Sequence, residues 1–236
     1  MTLPRKTIAI SLLLLWIALV LGIDRDCTLT VQYGLGLATW LLLGIALIDE
    51  SAAVRWQVLI AVAFATTLEY LAAPYLGFYE YRFDNVPAYG PPGHGLVYLG
   101  AIVIARSTPI IRRQSIFVGA ALLAASAWAL WGVTLAPRND LFGLLLLGLF
   151  ILFVAKGGAP RVYAAAFYIT TILELLGTTL GNWTWAPTDP TGWIAIGNPP
   201  SGIAAAYCIV DWVALHAAGY AGRATIGLRG EPKTAA

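Results

Sequence analysis

TTLEYLAAPYLGFYEY at residues 66–81 and TTILELLGTTLGNWTW at residues 170–185 carry one pattern twice. Thr66-Thr67-Leu68-Glu69 recurs as Thr170-Thr171-Ile172-Leu173-Glu174. Gly77-Phe78-Tyr79-Glu80-Tyr81 recurs as Gly181-Asn182-Trp183-Thr184-Trp185. Further on, Gly90-Pro91-Pro92 and Gly95 recur as Asn198-Pro199-Pro200 and Gly202. Three features in one order, at a period near 105 residues, read as a tandem duplication. Each copy holds an acid inside an apolar run, then a loop rich in glycine, proline and aromatic residues.

The solvent around those runs follows from composition. Of 236 residues, 59% are apolar and only 11% charged, with a mean hydropathy of +0.77. Soluble domains carry roughly 25% charged residues. The balance excludes an ordinary cytosolic enzyme, a disordered tail and a nucleic-acid binder; the net charge of +2 is too small for a polyanionic partner. Cys27 and Cys208 form neither a disulfide framework nor a metal-type spacing.

Eight apolar segments stand out, near 8–23, 31–47, 57–76, 95–111, 116–135, 141–155, 162–180 and 201–220. About 20 residues cross a bilayer unassisted, and most of the segments reach that with small boundary shifts. The first lacks a small-residue cleavage site before Asp24 and reads as a retained span. The expected fold is an all-α integral membrane protein. Eight transmembrane helices form two tandem four-helix repeats of parallel topology, residues 1–114 and 115–236, in one integrated domain. With the N-terminus in the cytoplasm, eleven Lys and Arg residues fall inside and three, Arg25, Arg82 and Arg138, outside. This predicts a multi-pass protein of the cell membrane with both termini cytoplasmic and the loops 77–94 and 181–200 external.

Three acids lie within spans: Glu69, Glu174 and Asp211. A carboxylate at the bilayer centre costs on the order of 2.5–3.5 kcal/mol on insertion scales, so such residues face the bundle interior and mark a site or an interhelical bond. The duplicated glutamates should share one depth, with Thr66 and Thr170 one turn before them, placed to hydrogen-bond a protonated carboxyl. Asp211 has no counterpart, since Val103 and Ile104 occupy that region of the first half. A carboxyl in an apolar cavity is held toward its neutral form and can protonate an alkene. The resulting cation needs dry surroundings and aromatic faces. Glu69, Glu174 and Asp211 are therefore the candidate catalytic residues, with Glu69 as the acid. Tyr79, Tyr81, Trp183, Trp185 and Tyr207 are the candidate substrate contacts, joined by His94 between its flanking glycines. An interfacial aromatic belt is the plainer reading of the same rings. No metal and no cofactor is expected, because no P-loop, dinucleotide fingerprint or zinc-type motif occurs.

Glu69 with Gly77-Phe78-Tyr79-Glu80-Tyr81, Asn85-Val86-Pro87 and Pro91-Pro92 resembles the integral-membrane carotenoid biosynthesis proteins, among them the carotenoid and bisanhydrobacterioruberin hydratases. Glu174 with Gly181-Asn182-Trp183-Thr184-Trp185, Gly192 and Pro199-Pro200 is similar to the repeat of the membrane lycopene cyclase domains. Those cyclases place paired glutamates after the proline, where Pro200-Ser201 and Pro92-Gly93 stand here. One early buried Glu and one late buried Asp, Glu69 and Asp211, are similar to the membrane terpene cyclases of meroterpenoid pathways. The resemblance implies hydration, cyclisation or isomerisation of an isoprenoid lipid, as a lyase or isomerase. A proton-coupled transporter or flippase of a lipid-like substrate stays open, as does a non-catalytic subunit with a partner in a membrane complex.

Overall fold

In the computed structural model the described residues are 3–228, with side chains described from 8 to 217. The chain is mostly helical, 72%. Nine α-helices occur among the described residues: α1 (Leu3–Asp24), α2 (Leu29–Ala46), α3 (Ala52–Tyr70), α4 (Gly90–Ala105), α5 (Thr108–Arg112), α6 (Gln114–Thr134), α7 (Leu141–Lys156), α8 (Pro160–Leu180) and α9 (Ala204–Leu228). The helix α3 with its following turn, α2, α6 and α8 are long and apolar enough to cross a membrane. Shorter apolar helices run over Ile8–Asp24, Gly90–Ala105, Leu141–Lys156 and Ala204–Ala217. The charge bias rests partly on Arg5, Lys6, Arg223, Arg229 and Lys233, whose side chains lie outside the described residues.

Local chemistry sets the boundaries. Thr28 and Ser51 cap α2 and α3 by accepting from Val31 N and Val54 N, and proline opens α8 at a position where its missing N–H costs nothing. The segment expected at 95–111 starts earlier, at Gly90, and breaks after Ala105. Pro109 then restarts the chain as the short α5. Gly181, at φ 77°, ends α8 in the left-handed region, where Asn182 N bonds Gly177 O at 2.9 Å. The end of α3 differs. Pro74 supplies no N–H, and the chain widens into a π-helical turn over Leu71–Tyr75. Tyr79 follows Glu69 by ten residues, whereas Trp183 follows Glu174 by nine. The wide turn absorbs that extra residue.

Four helices form the centre. α3 packs on α4 and α9, and α8 packs on the same two, closing a ring. α1 lies against α4 and α8, α2 against α4, and α6 and α7 against α8. Small residues allow these approaches: Ala164, Ala165 and Ala166 of α8, and Ala121, Ala125 and Ala129 of α6, are fully or almost fully buried. Leu15, Leu37, Leu41, Leu123, Leu130 and Leu152 are exposed on the outer helices, the arrangement expected when acyl chains are the solvent.

The loops expected to be irregular contain a two-stranded antiparallel sheet, so the fold is not purely helical. Strand β1 (Tyr79–Tyr81) pairs with β2 (Trp183–Trp185) in the register Tyr79↔Trp185, Glu80↔Thr184, Tyr81↔Trp183. Two buried aspartates moor these loops. Asp24, at the end of α1, accepts from Gln32 Nε2 at 2.8 Å, Tyr89 Oη at 2.9 Å and Asn182 Nδ2 at 2.8 Å. Arg82, from the loop after β1, stands 3.8 Å away. Asp140 caps α7 through Gly143 N and accepts from Gly197 N and Ser201 N at 2.8 and 2.7 Å. Asn182 thus spends its amide on Asp24 and Leu21 O inside the protein.

Replacing Asp140 by Ala leaves three backbone N–H groups without their acceptor. The expected loss of stability is about 3 kcal/mol, read as a lower thermal unfolding temperature of the detergent-solubilised protein.

Candidate active site

A cavity of about 270 Å³ lies beneath the β1–β2 sheet. Each helix of the central ring contributes one reactive side chain to its wall: Glu69 from α3, His94 from α4, Glu174 from α8 and Tyr207 from α9. No Lys or Arg lines it. The rest of the lining is apolar and aromatic, including Trp16, Ile17 and Val20 of α1 and Phe142 of α7.

The two glutamates are both 6% exposed but differ in their partners. Tyr81 donates its hydroxyl to Glu69 Oε1. On the other oxygen, His94 Nε2 stands 2.7 Å from Glu69 Oε2, so one proton can join imidazole and carboxyl. Tyr207 Oη lies 3.4 Å from His94 Nδ1 and extends the chain across to α9. At Glu174 both donors are indoles. Trp183 Nε1 and Trp185 Nε1 reach Oε2 at 3.0 and 3.2 Å. Among the described residues no hydrogen bond reaches Glu174 Oε1.

Strand alternation explains this dressing. Successive residues of a strand point to opposite faces. Tyr79, Tyr81, Trp183 and Trp185 therefore all face the cavity, and Glu80 and Thr184 face away. Cross-strand pairing stacks Tyr79 on Trp185 at 4.6 Å between ring centres and Tyr81 against Trp183 at 5.9 Å. Burial, and then the nearby Glu69 carboxyl, pushes the Tyr79 and Tyr81 phenols above their ordinary range, so both remain neutral O–H groups. Two glycines make close contacts in the site. The Trp183 ring fills the space where a Cβ of residue 177 would be, and Gly90 meets Glu69 Oε2 so closely that a Cβ would stand at 3.1 Å.

All six residues expected as substrate contacts line the cavity, and so do Glu69 and Glu174. Asp211 does not. It is 1% exposed on α9, one turn beyond Tyr207 and away from the sheet. The expectation that three acids meet in one chamber therefore holds for two. The expected bonds from Thr66 and Thr170 to the glutamates do not form, and neither hydroxyl has a partner. Sequence reading missed Asp24 and Tyr89. Their signal was an acid at the end of an apolar run, matched by Arg82, the one Lys or Arg in the loop 77–94. Among the described residues no group of three or more His, Cys, Asp or Glu side chains is placed to hold a metal ion.

No protein-family model, characterised protein or solved structure matches this chain.

Trp183→Phe and Trp185→Phe keep a ring but delete one donor each from the buried Glu174 carboxyl. Each is expected to cost about 1–3 kcal/mol in thermal unfolding, and the double variant more than either.

Proposed function

We propose that this chain is an integral-membrane enzyme that performs acid-initiated alkene chemistry on an isoprenoid lipid. One observation carries the reading: two glutamates from different helices meet in one apolar cavity, one joined to a histidine and the other held by two indoles.

The chemistry follows from that difference. The Glu69–His94 pair holds a transferable proton. Transfer to one alkene carbon forms a C–H bond and leaves a cation on the neighbouring carbon. The faces of Tyr79, Tyr81, Trp183, Trp185 and Tyr207 stabilise positive charge, and the lack of Lys and Arg in the wall avoids opposing it. Glu174 carries one oxygen without a hydrogen bond. That oxygen can remove a proton from an adjacent carbon, which completes isomerisation or cyclisation. It can equally take a proton from an attacking water, which completes hydration. In each case Glu69–His94 loses one proton and Glu174 gains one, and exchange between the two resets the site.

The cavity, at about 270 Å³, is near the lower end of small-molecule sites, roughly 300–1,000 Å³. It fits one end group of a long isoprenoid, with the remaining chain in lipid. Carotenoid end groups and other terpenoid lipids are the substrate class, in line with the resemblance of the loop motifs to carotenoid hydratases and membrane cyclases.

The same reading has eight spans, cytoplasmic termini and two tandem four-helix repeats. The sheet supports the repeats. The two equivalent loop segments pair antiparallel about their central residues, Glu80↔Thr184, as two copies related by a two-fold axis would. In that arrangement Glu80 and Thr184 face the outside of the cell. Glu80→Cys, in a Cys27→Ser background, should react with a membrane-impermeant maleimide added to intact cells. Failure to label until the membrane is opened would reverse the orientation.

Mass spectrometry of lipid extracts from cells with and without the gene should reveal a hydrated, cyclised or isomerised isoprenoid. Glu69→Gln and Glu174→Gln should each lower its formation at least about 100-fold while the protein still accumulates. Unchanged product in both variants would remove the glutamates from the mechanism.

A further inference from the structure

One helical turn deeper than Glu69, His94, Glu174 and Tyr207, level with the inner part of the cavity, the ring helices carry a second set of side chains: Thr66 on α3, Tyr98 on α4, Thr170 on α8 and Asp211 on α9. Each stands three or four residues from the cavity residue of its own helix, on the side away from the β1–β2 sheet. At a rise of 1.5 Å per residue the set lies about 4.5–6 Å further in. It is a layer of four positions on helices that pack as a ring, with Asp211 on α9 between Thr66 on α3 and Thr170 on α8.

Tyr98 donates its hydroxyl to Gln57 Oε1 at 3.1 Å. The other three each have a buried atom with no hydrogen-bond partner in the protein: Thr66 Oγ1, Thr170 Oγ1 and Asp211 Oδ2. Thr170 is 0% and Asp211 1% exposed. The two threonines differ from several others on these helices. Thr39, Thr67, Thr134 and Thr178 all donate to the carbonyl four residues back, the usual resort of a hydroxyl on an apolar helix. Thr66 and Thr170 do not, which leaves both hydroxyls available to a group between the helices. Asp211 lies within electrostatic reach of Tyr98 in the same layer and of Tyr207 in the cavity wall.

Buried polar groups without protein partners are few in folded proteins, and bound water, with about three hydrogen bonds each, is what ordinarily satisfies them. We infer that Thr66, Thr170 and Asp211 form a buried water-binding site beside the inner part of the cavity. Its existence rests on these side chains alone. Its use rests on the proposed reaction: in the hydration form, water from this layer adds to the cation, its oxygen forms the C–O bond, and its proton passes to Glu174. A greasy cavity then receives water from within the helix ring and need not open to the aqueous phase.

Isosteric substitution tests the site by sign. If the hydroxyls were simply unsatisfied in a dry interior, Thr66→Val and Thr170→Val would remove a penalty and raise the unfolding temperature. If they hold water in common, each should lower it by about 2–4 °C, and the double variant should lose less than the sum, because the second substitution finds the water already displaced. A structure of the detergent-solubilised protein that resolves water should show density within hydrogen-bond distance of Asp211 Oδ2 and of a threonine hydroxyl. A rise for either Val variant, strictly additive losses, or no density there overturns the site. Neither measurement involves a substrate. A failed search for a modified isoprenoid therefore leaves the water site standing, and a dry layer leaves the acid chemistry of Glu69 and Glu174 untouched.

Discussion

Two carboxyl groups inside an apolar helix ring must be supplied with hydrogen-bond donors, and the pairing of β1 with β2 supplies most of them here. An isolated charge in such surroundings is prohibitively costly, and even a neutral carboxyl without a partner is expensive. Tyr81 reaches Glu69 from one strand, and Trp183 and Trp185 reach Glu174 from the other. Neither helix could provide these groups, because its backbone N–H donors are consumed within the helix. A short sheet laid across the end of the ring can, since alternation turns every second side chain inward. The loops are thus part of the site, and their moorings at Asp24 and Asp140 belong to it for the same reason.

The two glutamates differ in their neighbours, and the proposed reaction uses that difference. Glu69 faces an imidazole, which accepts and returns a proton with little change in geometry. Glu174 faces indoles, which only donate and cannot take its proton. A pair of like groups made unlike by their neighbours is a common way to separate acid from base in one site. The surrounding helices diverge as well. α1 lies across α4 and α8 and puts Trp16, Ile17 and Val20 into the cavity wall, while α6 packs away from the cavity on α7 and α8. The cavity is therefore walled unequally, and an elongated substrate would have one preferred direction within it.

Much of this was legible in the sequence. Membrane-type composition, the duplicated Glu69 and Glu174, and the aromatic loop motifs are local features, and local features survive translation into structure. The cavity partners of both glutamates came from the residues singled out as substrate contacts. What escaped depended on direction in three dimensions. Asp211 has the composition signal of a site residue, yet on α9 the cavity is lined by Tyr207 and Val210 and not by Asp211. Thr66 has the right spacing for a bond to Glu69, but Tyr81 and His94 reach both of its carboxyl oxygens; Thr170 has the right spacing for Glu174, yet its hydroxyl makes no bond to the free Oε1. Spacing along a helix predicts a shared face; it does not predict which neighbour reaches an atom first. The strand pairing was out of reach for a related reason, because three-residue strands carry too little pattern to announce a partner about 100 residues away.

The π-helical turn at Leu71–Tyr75 shows how these levels depend on each other. Pro74 withholds a backbone donor, the turn widens, and one additional residue fits between Glu69 and Tyr79 without displacing either end. Without that accommodation, β1 would enter the sheet one residue out of step. A one-residue slip in a strand exchanges its faces, so Glu80 would point inward and Tyr79 and Tyr81 outward. The cavity would then hold a third carboxylate, Glu69 would lose its phenol, and the aromatic stack on Trp183 and Trp185 would not form. A single proline at the end of α3 thus stands upstream of the donor set, the aromatic lining and the charge balance of the cavity.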